Sequence, residues 1–370
     1  LQAGSRDIEK AARDLRLATG IDSGRYSYGQ LQEKPEFLPA LAALEEAVKK
    51  FSAILESQAE RAEGLEKCWQ RALELVRRFG EWQKVSDGYV RWGEAFTHSL
   101  QLNSTPLDVA EIFKKQMGGH PRAWIFTSAT LAVQGKFQHY CAELGLGEPE
   151  SACWESPFEF AKQALLYAPL GMPEPNSFGY TEAVVEAAFP AVVAAGGGTF
   201  FLCTSLRAMR RTHELLKARL DDEGHELPLL LQGEGSKNDL LQRFRHLGNA
   251  ILVGSQSFWE GVDVRGEALS LVVIDKIPFA PPDDPVLSAR IEQMRQQGRN
   301  AFIEYQLPRA VINVKQGAGR LIRDETDRGV LMICDPRLLS KPYGRRVWQS
   351  LPPMKRTKEL SDVLDFFASR

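Results

Sequence analysis

The sequence predicts an α/β protein in which a mainly helical N-terminal part precedes a parallel, doubly wound sheet. Leu41, Leu44, Val48, Phe51, Leu55, Gln58, Ala62, Leu65, Trp69, Ala72, Val76 and Phe79 follow one another in steps of three and four, and only Gln58 is not apolar. Such a seam belongs to packed helices. From about residue 120, short apolar runs of strand length alternate with helical stretches, and strand, crossover helix, strand in succession means a parallel sheet. The runs end in small polar residues and glycines, and in such sheets chemistry gathers beyond the carboxyl ends of the strands.

In chain order, residues 1–115 read as almost wholly helical. The seam is either one long helix or two that break near Gly64, packed on neighbours from residues 1–20 and 105–118. Between Glu81 and Leu102 the aromatics Trp82, Tyr89, Trp92 and Phe96 stand among polar residues with an Asp87-Gly88 turn signal, so a hairpin is expected there. Those rings, next to Lys84 and Arg91, serve either packing or base stacking. Then come "RAWIFTSATL" (122–131), "GGGTFFLCTS" (196–205), "LPLLLQ" (227–232), "NAILVGS" (249–255), "ALSLVVID" (268–275) and "GVLMICD" (329–335), each the length of a buried strand. "LRAMRRTHELLKARL" and "NDLLQRFRHL" are helices between them. "DEGH" (222–225) follows the polar, helical "LLKARLD" and reads as a helix-to-strand turn rather than a metal-binding box.

Composition narrows the function classes. Formal net charge is −2 and the pI about 6.4, so no global basic field announces a polyanion. One local exception is Arg337 to Lys358, with seven Lys or Arg and no Asp or Glu: a solvated loop, or a contact with polyanion or an acidic partner. The five cysteines, separated by 73, 12, 50 and 131 residues, match neither a zinc nor an iron-sulfur pattern and read as reduced thiols of a cytosolic protein. No signal peptide and no apolar run near 18 residues is present, so export and membrane spanning are not expected. The first residue is Leu1 rather than Met, which suggests a processed product or a fragment.

Two stretches carry chemistry. In "KQGAGRLIRDETDRG" (315–329), Gln316, Arg320 and Arg323 are spaced by four and three, which on a helix places them on one face. A guanidinium is always charged and matches phosphate oxygens, so that face is a phosphate reader or a solvated basic surface. In "GSQSFWEGVD" (254–263), Gly254 and Gly261 permit close backbone approach, Ser255 and Ser257 offer hydroxyls, and Glu260 and Asp263 supply carboxylates. Phosphate or magnesium-nucleotide contacts need these types; a capped turn is the alternative.

"TSATL" (127–131), "FFLCTS" (200–205), "SFWEGVDVRG" (257–266), "IDKIPFAPPDDP" (274–285) and "QGAGRLIR" (316–323) resemble, in order and spacing, the later motifs of superfamily 2 helicases of the XPD and DinG type. The resemblance implies two RecA-like motor domains with a helical arch inserted in the first, and ATP-driven unwinding of DNA in the 5' to 3' direction. On it, residues 1–117 are arch-like, 118–160 are the last piece of motor domain 1, and 161–370 are motor domain 2. Ser128, Ala129 and Thr130 would link ATP hydrolysis to DNA movement, Thr204 and Ser205 would touch the DNA backbone, and Ser255 to Asp263, with Ser257, Glu260 and Gly261, would connect DNA to nucleotide. Gln316, Arg320 and Arg323 would face the γ-phosphate, with Gly317 and Gly319 allowing close approach. The cofactors implied are ATP and Mg²⁺, with a 4Fe-4S cluster in the parent protein. The partners implied are single-stranded or forked DNA, and the location is the bacterial cytoplasm at the nucleoid, with a role in DNA repair or replication.

The departures from that pattern are as informative. A nucleotide motor needs G-x-x-x-x-G-K-[ST] and a carboxylate pair after a strand, and neither is present; "VQGKFQ" lacks the first glycine and the following hydroxyl. No four-cysteine set for a cluster exists either. Truncation explains this economically: the phosphate loop, cluster cysteines and DEAH box would precede this chain, which alone should lack ATPase activity. The rival is a non-catalytic RecA-like module that binds single-stranded nucleic acid or a partner protein. At the C-terminus, Leu360, Val363, Leu364, Phe366 and Phe367 suit an amphipathic helix that packs on motor domain 2 or docks a replication or repair protein.

Overall fold

The structure, a computed structural model, describes every residue except 21, 85–86, 120–121, 134, 256–257, 259–267 and 370. Two compact units form: Leu1–His120 with Glu143–Gly145 and Ala280–Ala301, and Pro121–Ala142 with Leu146–Phe279 and Phe302–Arg370.

The first unit begins with α1 (Gln2–Ala18), β1 (Gly24–Ser27), α2 (Tyr28–Gln32), α3 (Phe37–Glu56), α4 (Glu63–Gln83), β2 (Tyr89–Ala95), β3 (Leu100–Pro106) and α5 (Ala110–Met117). The seam is two helices, not one. It breaks at Ser57–Ala62, around the single polar member Gln58, and Gly64 lies inside the first turn of α4. Leu15, Leu31, Phe37, Leu41, Leu44, Val48 and Trp82 make one core, in which α1 is the neighbour expected from residues 1–20. The hairpin is real but displaced: β2 and β3 pair antiparallel, the turn lies at Phe96–Ser99 where Phe96 N–H donates to Ser99 O (2.8 Å), and Asp87-Gly88 precedes β2. Two of its rings are tied internally, while Tyr89 and Phe96 are each 44% exposed. Trp82 Nε1 donates to Asn103 O (2.9 Å), Trp92 Nε1 to Thr105 Oγ1 (2.9 Å), and the Arg91 guanidinium lies 3.8 Å from the Tyr28 ring centroid.

In the second unit, α6 (Gln138–Leu144), which continues into the first unit, and α7 (Phe160–Gln163) lead into β4 (Ala164–Tyr167), α8 (Tyr180–Ala194), β5 (Thr199–Cys203), α9 (Leu206–Glu223), β6 (Leu229–Leu231), α10 (Lys237–Leu247), β7 (Ile251–Ser255) and β8 (Leu271–Ile274). The chain returns to the first unit for α11 (Pro285–Gln296), then completes the second with α12 (Leu307–Ala318), β9 (Gly329–Ile333), α13 (Arg337–Ser340), α14 (Gly344–Ser350), β10 (Lys355–Thr357) and α15 (Leu360–Ala368). Seven strands pair in the order β10-β4-β9-β8-β5-β7-β6, all parallel. Continuous Val, Leu, Ile and Phe runs form its centre because both faces are covered: one by a cluster that includes Phe200, Leu252, Val272, Leu331 and Val314, the other by Phe201, Val253, Val273, Met332 and Val184. Gly197 is obligatory at the entry to β5. Its φ is +85°, and a Cβ would sit 1.9 Å from Asn249 O.

Five of the six expected strands are present. The sixth is not: residues 122–131 form no strand, with Ile125 82% and Trp124 43% exposed. An apolar run becomes a buried strand only where neighbours accept its N–H and C=O groups, and among the described residues the only ladder contact nearby is the Val133–Lys136 bridge. "DEGH" is the expected turn, with α9 ending at Glu223 on a left-handed Gly224 cap. In α15, Val363 and Phe367 are buried against the sheet's second face and Phe366 packs beside them, while Leu364 is 39% exposed.

Candidate functional site

The sequence order of the sheet sets up a switch point. From β5 the chain moves outward to β6 and returns through β7, whereas from β8 it continues to β9 on the opposite side, so a crevice opens beyond the carboxyl ends of the adjacent β5 and β8. Thr204 follows β5 and Asp275 follows β8. Asp275 is 4% exposed and accepts from Thr204 N–H (3.1 Å), Thr204 Oγ1 (3.2 Å) and Lys276 N–H (2.6 Å), which closes the crevice floor. Burial pushes its carboxyl up to about 6, against those donors and the Lys276 charge. Tyr180, the first residue of α8, donates its hydroxyl to Asp275 O (2.7 Å), and burial raises that phenol as well. Asp335, beyond β9, accepts Ile277 N–H (2.8 Å) and a bidentate Arg337 (2.7 and 2.9 Å). Arg337, the first cation of the basic segment, is thus structural rather than part of a free surface.

The hydroxyls at this edge differ in what they have left to offer. Thr204 donates its proton to Asp275, and Ser255, the last residue of β7, donates Oγ to Gln232 Oε1 (3.0 Å) while its N–H donates to the same atom (2.7 Å). Ser205 is different: it caps α9 by accepting from Ala208 N–H (3.2 Å), which leaves its own proton for an acceptor. It is exposed, and Arg207 and Arg210 follow it on the first turns of α9.

The arginines occupy the other edge. Gln316 lies in the last turn of α12, but the helix ends at Ala318 and Gly319 is its cap, so Arg320 and Arg323 stand beyond it. The expectation that all three share one helix face fails here. Leu321 and Ile322, 1% and 3% exposed, turn into the core instead of continuing the helix, and the Asp327 carboxylate fixes the turn by accepting N–H of Arg323 (2.7 Å) and Asp324 (2.8 Å). Gln163, just before β4, donates to the carbonyls of Asp324, Glu325 and Asp327 at 3.0 Å each, tying the loop to the amino edge of the sheet. Nothing in the sequence marks Gln163 or Asp327 for this role. Arg320 and Arg323 are half-buried.

The "TSATL" segment lies near the same helix end. Ser128 Oγ accepts Thr130 N–H (3.1 Å) and bonds its hydroxyl (3.2 Å), and Lys315 Nζ donates to Ala132 O (2.9 Å). A cleft of about 690 Å³ is lined by Thr127, Ser128, Ala129, Cys153 and Lys315. Burial there lowers the Lys315 ammonium below its ordinary range. Thr204, Ser205 and Ser255 are therefore together at the carboxyl edge, and Gln316, Gly319, Arg320 and Arg323 at the amino edge with Ser128 and Thr130 near Lys315. Ser257, Glu260, Gly261 and Asp263 lie outside the described residues. Among the described residues no group of three His, Cys, Asp or Glu is placed to hold a metal, and no helix is long and apolar enough to cross a membrane.

Residues 190–354 match the family described as Helicase C-terminal domain. The whole chain is 41% identical over 369 residues to the ATP-dependent DNA helicase YoaA of Escherichia coli strain K12, of which it covers 57%. It is 38% identical over 269 residues, 71% of this chain and 39% of the relative, to the ATP-dependent helicase DinG of Mycobacterium tuberculosis strain H37Ra. A solved structure of apo XPD shares the fold at a TM-score of 0.62 and 16% identity, across 96% of this chain and 69% of that one. The chain thus spans little more than half the length of its YoaA relative.

Proposed function

Because this chain belongs to the DinG- and XPD-type helicases, homologous to the C-terminal part of those proteins, we propose that it is the half of a 5' to 3' DNA helicase that holds one side of the DNA track and supplies arginines to ATP. The observation that carries the reading is the separation of two polar edges on one rigid sheet. The carboxyl edge offers Ser205 with an available proton and nearby cations to a phosphate backbone. The amino edge offers Gln316, Arg320 and Arg323 on a loop pinned by Asp327 and Gln163. A strand of five residues spans roughly 15 Å, so displacement of one edge on hydrolysis moves the other as a body. On the same reading residues 118–160 complete motor domain 1 and residues 161–370 form motor domain 2, with 280–301 as the excursion that groups with the first unit.

ATP with Mg²⁺ is the energy source of this reading. On this reading Gln316, Arg320 and Arg323 face its γ-phosphate, and the phosphate loop and any 4Fe-4S ligands, for which the sequence holds no motif, would come from the N-terminal half. Phosphoryl transfer is catalysed mainly by positioning and charge, and an arginine facing the transferred group is worth about 10³ to 10⁵ in rate. The test is DNA-stimulated ATPase of the chain combined with an N-terminal half, comparing wild type with Arg320→Ala and Arg323→Ala. A fall of at least about 10³ in kcat with little change in KM supports the arginine role. Full turnover in both variants removes it.

The second reading, a binding module without hydrolysis, is favoured by one observation: the sequence holds neither a phosphate loop nor a carboxylate pair directly after a strand run. It predicts tight binding of single-stranded DNA by a chain whose partnered form still turns over no ATP.

A further inference from the structure

The crevice beyond β5 and β8 widens into a cleft of about 930 Å³ whose outer wall is the segment 175–182. Phe178 on that wall is fully exposed, more so than any other large hydrophobic among the described residues. It is held there rather than left loose. Ser177 Oγ and N–H both donate to Glu174 O (2.6 and 2.9 Å), Tyr180 N–H donates to Ser177 O (3.3 Å), and Tyr180 itself is buried and bonded to Asp275 O. Gly179, at φ +79°, turns the chain between the outward Phe178 and the inward Tyr180.

The charges lining the cleft are unequal. Arg211 is balanced by Glu182 (2.8 Å) and Glu214 (3.3 Å). The exposed Arg207 and Arg210 line the same cleft and make no ion pair among the described residues, and Lys276 lies above the Tyr180 ring. An exposed apolar ring and cations lining one cleft suit a ligand that carries phosphates and an accessible aromatic face at once. In a duplex the base faces are stacked on one another; in a single strand they are open.

We propose that Phe178 is a stacking platform for one base of single-stranded DNA whose adjoining phosphates lie on Arg207 and Arg210, with Ser205 donating from the crevice floor. This rests on the reading of the carboxyl edge as the DNA track. The test measures binding of the full chain to a fluorescein-labelled dT oligonucleotide and to an abasic oligonucleotide of the same length, over a salt series. Phe178→Ala should weaken dT binding about tenfold, from the usual value of a base–aromatic stack, leave abasic binding unchanged, and leave the salt slope unchanged. Phe178→Tyr should stay within about twofold of wild type, whereas Phe178→Leu should resemble alanine. Arg207→Ala should weaken both oligonucleotides alike and flatten the salt slope by about one phosphate contact. If wild type binds neither oligonucleotide, the DNA track and the platform are both overturned. If wild type binds both and Phe178→Ala changes nothing, or changes both alike, the platform alone is overturned.

Discussion

At the scale of single residues, Asp275 is the group on which the carboxyl edge is organised. Its folded carboxyl titrates at about 6 instead of 3.8, because burial penalises the charge more than three donors repay it. A raised folded value means stability that is fully present below about pH 4 and lost as pH rises through about 6. Asp275→Asn carries no such titration, so the stability difference, wild type minus variant, should shrink by about 1 kcal/mol between pH 5 and 7.5 in urea unfolding. A constant difference contradicts the burial argument. Ser205 and Thr204 should separate in the same way. Ser205→Ala loses a helix cap, about 1 kcal/mol, together with DNA affinity, because its proton is available; Thr204→Val loses stability through Asp275 with the smaller effect on binding. Equal binding losses in the two variants would refute the distinction. The sequence displayed both hydroxyls but not their difference, which depends on which atom each faces.

At the scale of elements, the loop after α12 shows what patterning can and cannot reveal. Gln316, Arg320 and Arg323 have helical spacing, yet Leu321 and Ile322 between the arginines are drawn into the core and end the helix. Asp327→Ala removes the carboxylate that accepts two N–H groups in this turn and should cost about 1–3 kcal/mol of unfolding free energy. A loss below about 0.5 kcal/mol in chemical denaturation would mean that the loop holds itself. The strands β5 to β9 were legible because long Leu, Val, Ile and Phe runs bounded by glycine or polar residues suit a sheet covered on both faces. β10 was not, since Lys355 and Arg356 on an edge strand leave no apolar signature, and β4 was not picked out either, although its Ala164–Tyr167 run is wholly buried. The 122–131 run carried the right residues for a strand but pairing depends on neighbours, which composition cannot report.

At the scale of the molecule, the polar ends of the strands were readable as one set of candidate residues, and the parallel topology divides them between two edges. Gln163 and Asp327, which fix the arginine loop, resemble any surface amide and carboxylate in the sequence; only the fold brings them together. In the proposed motor this chain contributes DNA contacts and arginines but not the phosphate loop. ATP turnover of the chain alone, of an N-terminal half alone, and of the two mixed, each with and without single-stranded DNA, tests this assignment most directly. The chain alone should show no turnover, and DNA-stimulated turnover should come only from the mixture. Hydrolysis by the chain alone, or a mixture that binds together and to DNA yet stays inactive, would contradict it.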